Sequence, residues 1–264
     1  MPQLIVNADD FGLDDETVDW TIKCFEARKI TSATIMAGMP ATERAVAYAK
    51  DHPQFSFGVH LCLVDEKPLC RLDAIPSMID PKTGKLWCTR QFILRNFLGL
   101  VKVEDIKREM LAQINSLRDL GLEISHLDGH GHNHRLPQSI KALVAVRDEL
   151  CVNIPVRRCQ DLHVGKPGLL SRCINAPMQS RLAGARFPMT DHFLMAAGHT
   201  SDEKWFSKAV ASLPDGITEI GIHPGMAEDW RRIDSLDCLN FNFGGFEMLT
   251  YKDMRLKCNE QLIA

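Results

Sequence analysis

The chain has 264 residues, 45% of them hydrophobic and 25% charged, which are ordinary globular values, and the length fits one large α/β domain or two small ones. A net charge of −3 leaves no basic excess, so neither nucleic acid nor an anionic membrane is expected as a partner. No stretch approaches a membrane span, and the N-terminus, MPQLIVNADDFG, lacks the regions of a signal peptide, so a cytoplasmic setting is expected.

Residues 3–8, QLIVNA, read as a buried parallel strand. Residues 14–28 read as a helix, with Val18, Thr21, Ile22 and Phe25 at helical spacing. A strand over 30–37, a helix over 41–50 and a strand over 55–63 follow. The stretch 64–100, with Pro68, Pro76, Pro81 and Gly84, is expected to be irregular, and at that length a functional loop rather than a linker. A helix over 103–120 leads to a strand in ISHLDGH, a helix after Pro137 and a strand at 153–158. Helices over 167–185 and 202–212 precede a strand at 218–223 that ends in His-Pro-Gly. The tail carries a strand near 247–250 and a helix from about Lys252. Roughly seven strands alternating with helices suit a divergent, TIM-like (β/α) barrel, a single domain over 1–264, better than an open sheet. In either architecture chemistry gathers at the carboxyl ends of the strands.

Histidines and aspartates occupy those ends. "HLDGHGHNH", residues 126–134, holds four of the ten histidines and an aspartate. Its polar residues alternate strictly, so an extended strand would put them on one face, where imidazole and carboxylate can bind a divalent metal. The bland alternative is a polar loop. Asp9 and Asp10 end the first strand; one can bind a metal while the other touches substrate, or both can belong to a turn or a helix cap. His60, in GVHL, is either a ligand or a hydrogen-bonded core histidine. Pro224 and Gly225 force a turn directly after His223, which exposes its imidazole. The nine cysteines are odd in number and form no C-x-x-C pair, so free thiols are expected; Cys62 is read as a packing residue.

"LIVNADDFGL", "GVHL", "HLDGHGHNHRLP" and "GIHPG" together resemble the YdjC-like carbohydrate deacetylases, which include chito-oligosaccharide deacetylase, over residues 3 to about 225. The resemblance implies a divergent barrel that removes N-acetyl groups from sugars with one divalent metal. It implies Asp10, His60 and His130 as ligands, Asp9 as base and His223 as acid. Arg157, in PVRR, matches a strand-end arginine of such enzymes and is carried over as a substrate-binding or supporting residue. The tail, NFNFGGFEMLTYKDM, fits the family only loosely.

Ligand chemistry agrees: one carboxylate and two imidazoles leave open coordination positions. Nitrogen-rich ligation favours zinc or another transition ion, whereas the resemblance implies magnesium. His126, Asp128, His132 and His134 would then stand behind the ligands or at the rim, with Asp128 able to fix an imidazole tautomer. Trp87, Trp230, Phe241, Phe243 and Phe246 are candidates for a sugar platform, with core filling or a subunit contact, as in a homodimer, as the alternative. NFNFGGF lacks the interleaved cations of a nucleic-acid platform. Two other readings remain open at this level: a phosphoesterase, although no phosphate loop is present, and a non-catalytic sugar or metal binder.

Overall fold

The protein is described from a computed structural model covering residues 1–164, 169–195, 204–211 and 213–254. Strands β1 (Gln3–Phe11), β2 (Ser32–Ile35), β3 (Ser56–Leu61), β4 (Leu127–Gly129), β5 (His192–Met195), β6 (Ile217–Ile222) and β7 (Glu247–Met248) form one parallel sheet. Its order is β4-β3-β2-β1-β6-β5, and β7 pairs with Gln3 and Leu4 of β1, below the point where β2 begins pairing at Asn7. The two outer strands are joined through the segment around Val156. Leu127 N–H of β4 donates to Pro155 O at 2.8 Å, and further along the segment Asp161 N–H donates to Phe193 O of β5 at 3.2 Å. The sheet therefore curls into a barrel. The expected strand at 153–158 contributes only a single bridge to Leu127, because Pro155 has no N–H to give a ladder.

Helices cover the outside: α1 (Asp15–Glu26), α2 (Thr42–Asp51), α3 (Thr89–Phe97), α4 (Val103–Asp119), α5 (Pro137–Leu150), α6 (Leu169–Gly184), α7 (Trp205–Val210) and α8 (Asp229–Asn240). Asp14 caps α1 by accepting from Thr17 N–H at 2.7 Å, a contact worth about 1 kcal/mol. The stretch 64–100 is less irregular than its prolines suggest, since it holds α3 and two 3₁₀ turns. β5 and α8 were not anticipated. Residues 251–254 begin a helix; the remainder of the expected C-terminal helix lies outside the described residues. So do residues 202–203 and 212 of the helix expected over 202–212, of which α7 is the described part.

The period-two pleat divides each strand between two environments. Leu4, Val6 and Ala8 of β1, Ala33 and Ile35 of β2, and Phe57, Val59 and Leu61 of β3 join the main apolar core under the helices. The alternate positions, Asn7 and Asp9, Ser32 and Thr34, and His60, are buried inside the barrel. Ile5 packs with Leu249, Tyr251 and Met254 as a small apolar cluster at the end of the barrel where β7 attaches. Above it the interior is polar and charged, and that interior supports the site. Among the described residues no helix is long and apolar enough to cross a membrane.

Candidate metal centre

β1 ends in a register shift between Ala8 and Phe11, and Asp10 there adopts φ 61°. A left-handed backbone is uncommon outside glycine, though aspartate tolerates it better than most residues. The shift separates two neighbouring carboxylates. Asp9 turns into the barrel and Asp10 turns toward β3 and the segment after β4.

Asp10 Oδ1 lies 2.9 Å from His130 Nδ1 and 3.2 Å from His60 Nε2. Its Oδ2 accepts from Arg231 Nη2 at 2.7 Å. His60 is turned so that Nδ1 meets Asp128 Oδ1 at 2.7 Å, which leaves Nε2 facing Asp10. Ligand atoms of Asp10, His60 and His130 lie within 4.8 Å of one another. One carboxylate oxygen and two imidazole nitrogens converging on a point fit a divalent cation with open positions. Burial disfavours charge on His60, but Asp128 and Asp10 outweigh it and lift its pKa to about 10. Burial likewise opposes ionisation of Asp10, yet its contacts with His130 and His60 hold it well below the usual carboxylate range. The site thus favours positive charge, and metal binding would release protons from it.

Asp9 is held differently. Arg157 donates Nη1 to Asp9 Oδ2 at 2.6 Å and Nη2 to Oδ1 at 2.7 Å. Asn7 Nδ2 adds a third donor to Oδ1 at 2.9 Å. Despite full burial, Arg157 keeps the Asp9 carboxyl far below its ordinary range. Arg157 Nη1 also stands 2.8 Å from Asp128 Oδ2, and Nε donates to Glu219 Oε1 at 2.7 Å. A second carboxylate–histidine group, Asp9, His60 and Asp128, already has its carboxylate oxygens bonded to a guanidinium, whose positive charge disfavours a second dication there.

His223 follows β6. Its Nε2 is 4.0 Å from Asp9 Oδ2, its Nδ1 is 3.5 Å from Asp234 Oδ2, and its ring meets Trp230 edge to face at 4.8 Å. Burial opposes its charge, but Asp234 and the two site aspartates raise its pKa above the ordinary value. Asp9, Asp10, His60, His130, His132, Gln160, Met195, His223, Trp230 and Arg231 line a cavity of about 310 Å³. A larger groove of about 880 Å³ lies among α3, α5 and α6, but no histidine or acid lines it.

Several expectations need correction. Trp87 does not reach this cavity: it is buried in its own loop, its indole N–H donates to Ser77 O at 2.9 Å, and Arg95 stacks on it at 3.8 Å. Of the two roles expected of Arg157, substrate-binding or supporting, its contacts fit the supporting one, since it is fully buried beneath the cavity and holds carboxylates. Phe241 packs with Phe206, Phe243 and Phe246, and only Trp230 among the candidate aromatics lines the cavity. The polar residues of 126–134 do not share one strand face. β4 stops at Gly129, and Gly131 and His132 at φ 57° and 56° turn the chain. His134 leaves the site and contacts Arg157 O through Nε2 at 3.1 Å. Arg231 and Asp234, both from the unanticipated α8, were missed entirely; Glu219 was signalled only by the alternation in TEIGIH.

The buried cluster of histidines and aspartates stands at the carboxyl ends of the strands, where the chemistry of parallel α/β barrels gathers. Residues 3–258 match the sequence pattern of the YdjC-like protein family, and the chain belongs to that family. A carbohydrate deacetylase from Geobacillus stearothermophilus is 36% identical over 133 residues, 50% of this chain and 51% of that protein. The chain thus spans about half the length of that relative in the match. A carbohydrate deacetylase from Thermoanaerobacter pseudethanolicus is 27% identical over 234 residues, 87% of this chain and 83% of that one. In fold, a crystal structure from Enterococcus faecalis, provisionally described as a cellobiose-phosphate cleavage protein, aligns with TM-score 0.74 at 20% identity, covering 96% of this chain and 98% of that one. A family 4 acetyl xylan esterase from Clostridium thermocellum, in complex with a cobalt ion, aligns with TM-score 0.50 at 12% identity over 97% and 92% of the two chains. These likenesses establish a curled parallel α/β barrel.

Proposed function

We propose that the protein is a metal-dependent carbohydrate deacetylase that hydrolyses N-acetyl groups of amino sugars or chito-oligosaccharides, as in chitin breakdown, and releases acetate. The observation that carries the reading is the convergence of Asp10, His60 and His130 beside an Asp9–His223 pair 4.0 Å apart. A divalent cation held by the first three would polarise the acetamide carbonyl and acidify a water. Asp9, kept ionised by Arg157, takes the proton of the attacking water. His223, whose pKa Asp234 and the site aspartates raise, gives a proton to the leaving nitrogen. The attacking oxygen and the leaving nitrogen are bonded to the same carbon, so a base and an acid this close can serve both. Trp230, against the His223 ring, offers a wall for a sugar.

The whole of 1–264 acts as one domain in this reading, in the cytoplasm, on a small-molecule carbohydrate, with a homodimer left open. Magnesium follows from the family resemblance and zinc or another transition ion from the donor atoms. Acetate release from N-acetylglucosamine, chitobiose and longer oligomers, with zinc, magnesium, cobalt or manganese supplied, tests it. Sugar binding without acetate release under any ion would refute it.

A further inference from the structure

We infer that Tyr251, on the C-terminal segment under the barrel, is a positioning residue for the catalytic base: through Glu219 it locks the plane of the Arg157 guanidinium, and so the carboxylate of Asp9. The inference rests on the deacetylase reading, which makes Asp9 the base.

The connection is continuous and buried. The Tyr251 hydroxyl donates to Glu219 Oε2 at 2.5 Å, Arg157 Nε donates to Glu219 Oε1 at 2.7 Å, and the far end of the same guanidinium holds both oxygens of Asp9. Tyr251, Glu219 and Arg157 are fully buried. A two-pronged arginine–carboxylate pair requires the two planes to align, and Nε–H is the donor that fixes the guanidinium plane from the opposite side. Tyr251 is the hydrogen-bond donor that meets the other oxygen of Glu219. Without it that oxygen is a buried acceptor with no other hydrogen bond among the described residues, and the side chain must rotate or take a proton. Burial already pushes the Glu219 carboxyl up to about 7.

A second route ends on the same carboxylate. The Tyr251 ring stacks on His126 at 3.7 Å and 11°, His126 Nε2 lies 3.1 Å from Asn7 Oδ1, and Asn7 Nδ2 donates to Asp9 Oδ1. His126 fits there because Gly58 faces it: a Cβ at that position would come within 2.6 Å of His126 O and 2.7 Å of its ring. The segment carrying Tyr251 is itself tied down, by Leu249 N–H to Leu4 O at 2.8 Å and Lys252 N–H to Ser56 Oγ at 3.1 Å. Tyr251 does not line the cavity, so its influence must pass through these neighbours.

The test compares the parent, Tyr251→Phe, Glu219→Gln and the double variant, all metal-loaded, by steady-state acetate release, with zinc affinity from calorimetry. Phenylalanine keeps the stack and the volume and removes only the hydroxyl; glutamine keeps the shape and removes the charge. Tyr251→Phe should lower kcat on the order of tenfold while KM and zinc affinity stay within about twofold. The double variant should be no slower than the slower single one, because both break one connection. A Tyr251→Phe kcat within twofold of the parent overturns the inference. So do losses shared by KM or zinc affinity, or losses that multiply in the double variant. A parent that releases no acetate overturns the deacetylase reading first, and this one with it.

Discussion

Arg157→Lys tests the charged interior most sharply. The guanidinium satisfies three buried carboxylates: Asp9 with two prongs at 2.6 and 2.7 Å, Asp128 at 2.8 Å and Glu219 at 2.7 Å. A lysine ammonium keeps the charge but offers one nitrogen, which cannot reach across that spread. Hydrogen bonds to charged groups contribute about 1.5–3 kcal/mol each, so losing two of the four contacts costs on the order of 3–6 kcal/mol. For a chain of this size that lowers Tm by roughly 6–20 °C. Denaturant unfolding of metal-free parent and variant measures the change without contributions from cation binding. An Arg157→Lys variant within about 1 kcal/mol of the parent would show that the three carboxylates do not depend on the guanidinium fork.

Other perturbations separate the remaining roles. Asp10→Asn should lose metal occupancy and regain part of it with excess ion, whereas Asp9→Asn should stay loaded and lose about 10²-fold or more in kcat; elemental analysis beside kinetics distinguishes them. His223→Ala should keep its metal and lose roughly 10²–10⁴ in kcat. Because Asp234 and the site aspartates hold His223 above its ordinary value near 6.5, the acid stays protonated past that pH, and activity should fall only as pH rises through the raised value. Asp234→Asn should move this alkaline limb to lower pH, and an unmoved limb would detach His223 from Asp234. Trp87→Phe should leave KM unchanged and cost about 1 kcal/mol of stability through the lost bond to Ser77 O, which thermal melting and saturation kinetics measure.

The sequence revealed what depends on residue type at a strand end. Asp10, His60 and His130 meet because each stands at or just beyond the carboxyl end of its strand, β1, β3 or β4, on the same rim of the barrel, and hydrophobic runs followed by polar residues mark those ends. The barrel was legible for the same reason, through alternation of apolar runs and amphipathic helices. Distance in the chain hid the rest. Arg231 and Asp234 reach the site from α8, whose Arg231, Asp234 and Ser235 are buried by polar contacts rather than by an apolar stripe, so helical periodicity gave little sign of it. Trp87 read as a sugar platform because an aromatic in a long loop looks exposed, but the loop folds over its own indole. The alternation of Asn7 and Asp9 with apolar neighbours carried the polar interior. A reading of 3–8 as a uniformly buried run passed over it. Tyr251 gave no local signal, since its partners are Glu219 and His126, far away in sequence.

Anomalous diffraction at the metal edge, from crystals grown with zinc or cobalt, locates any cation held by Asp10, His60 and His130. One strong peak per chain is expected, about 2.0–2.2 Å from Asp10 Oδ1, His60 Nε2 and a ring nitrogen of His130, with no peak among Asp9, Asp128 and Arg157. A second peak beside Asp9 and Asp128, or a single peak ligated by His132 or His134 in place of His130, would contradict it.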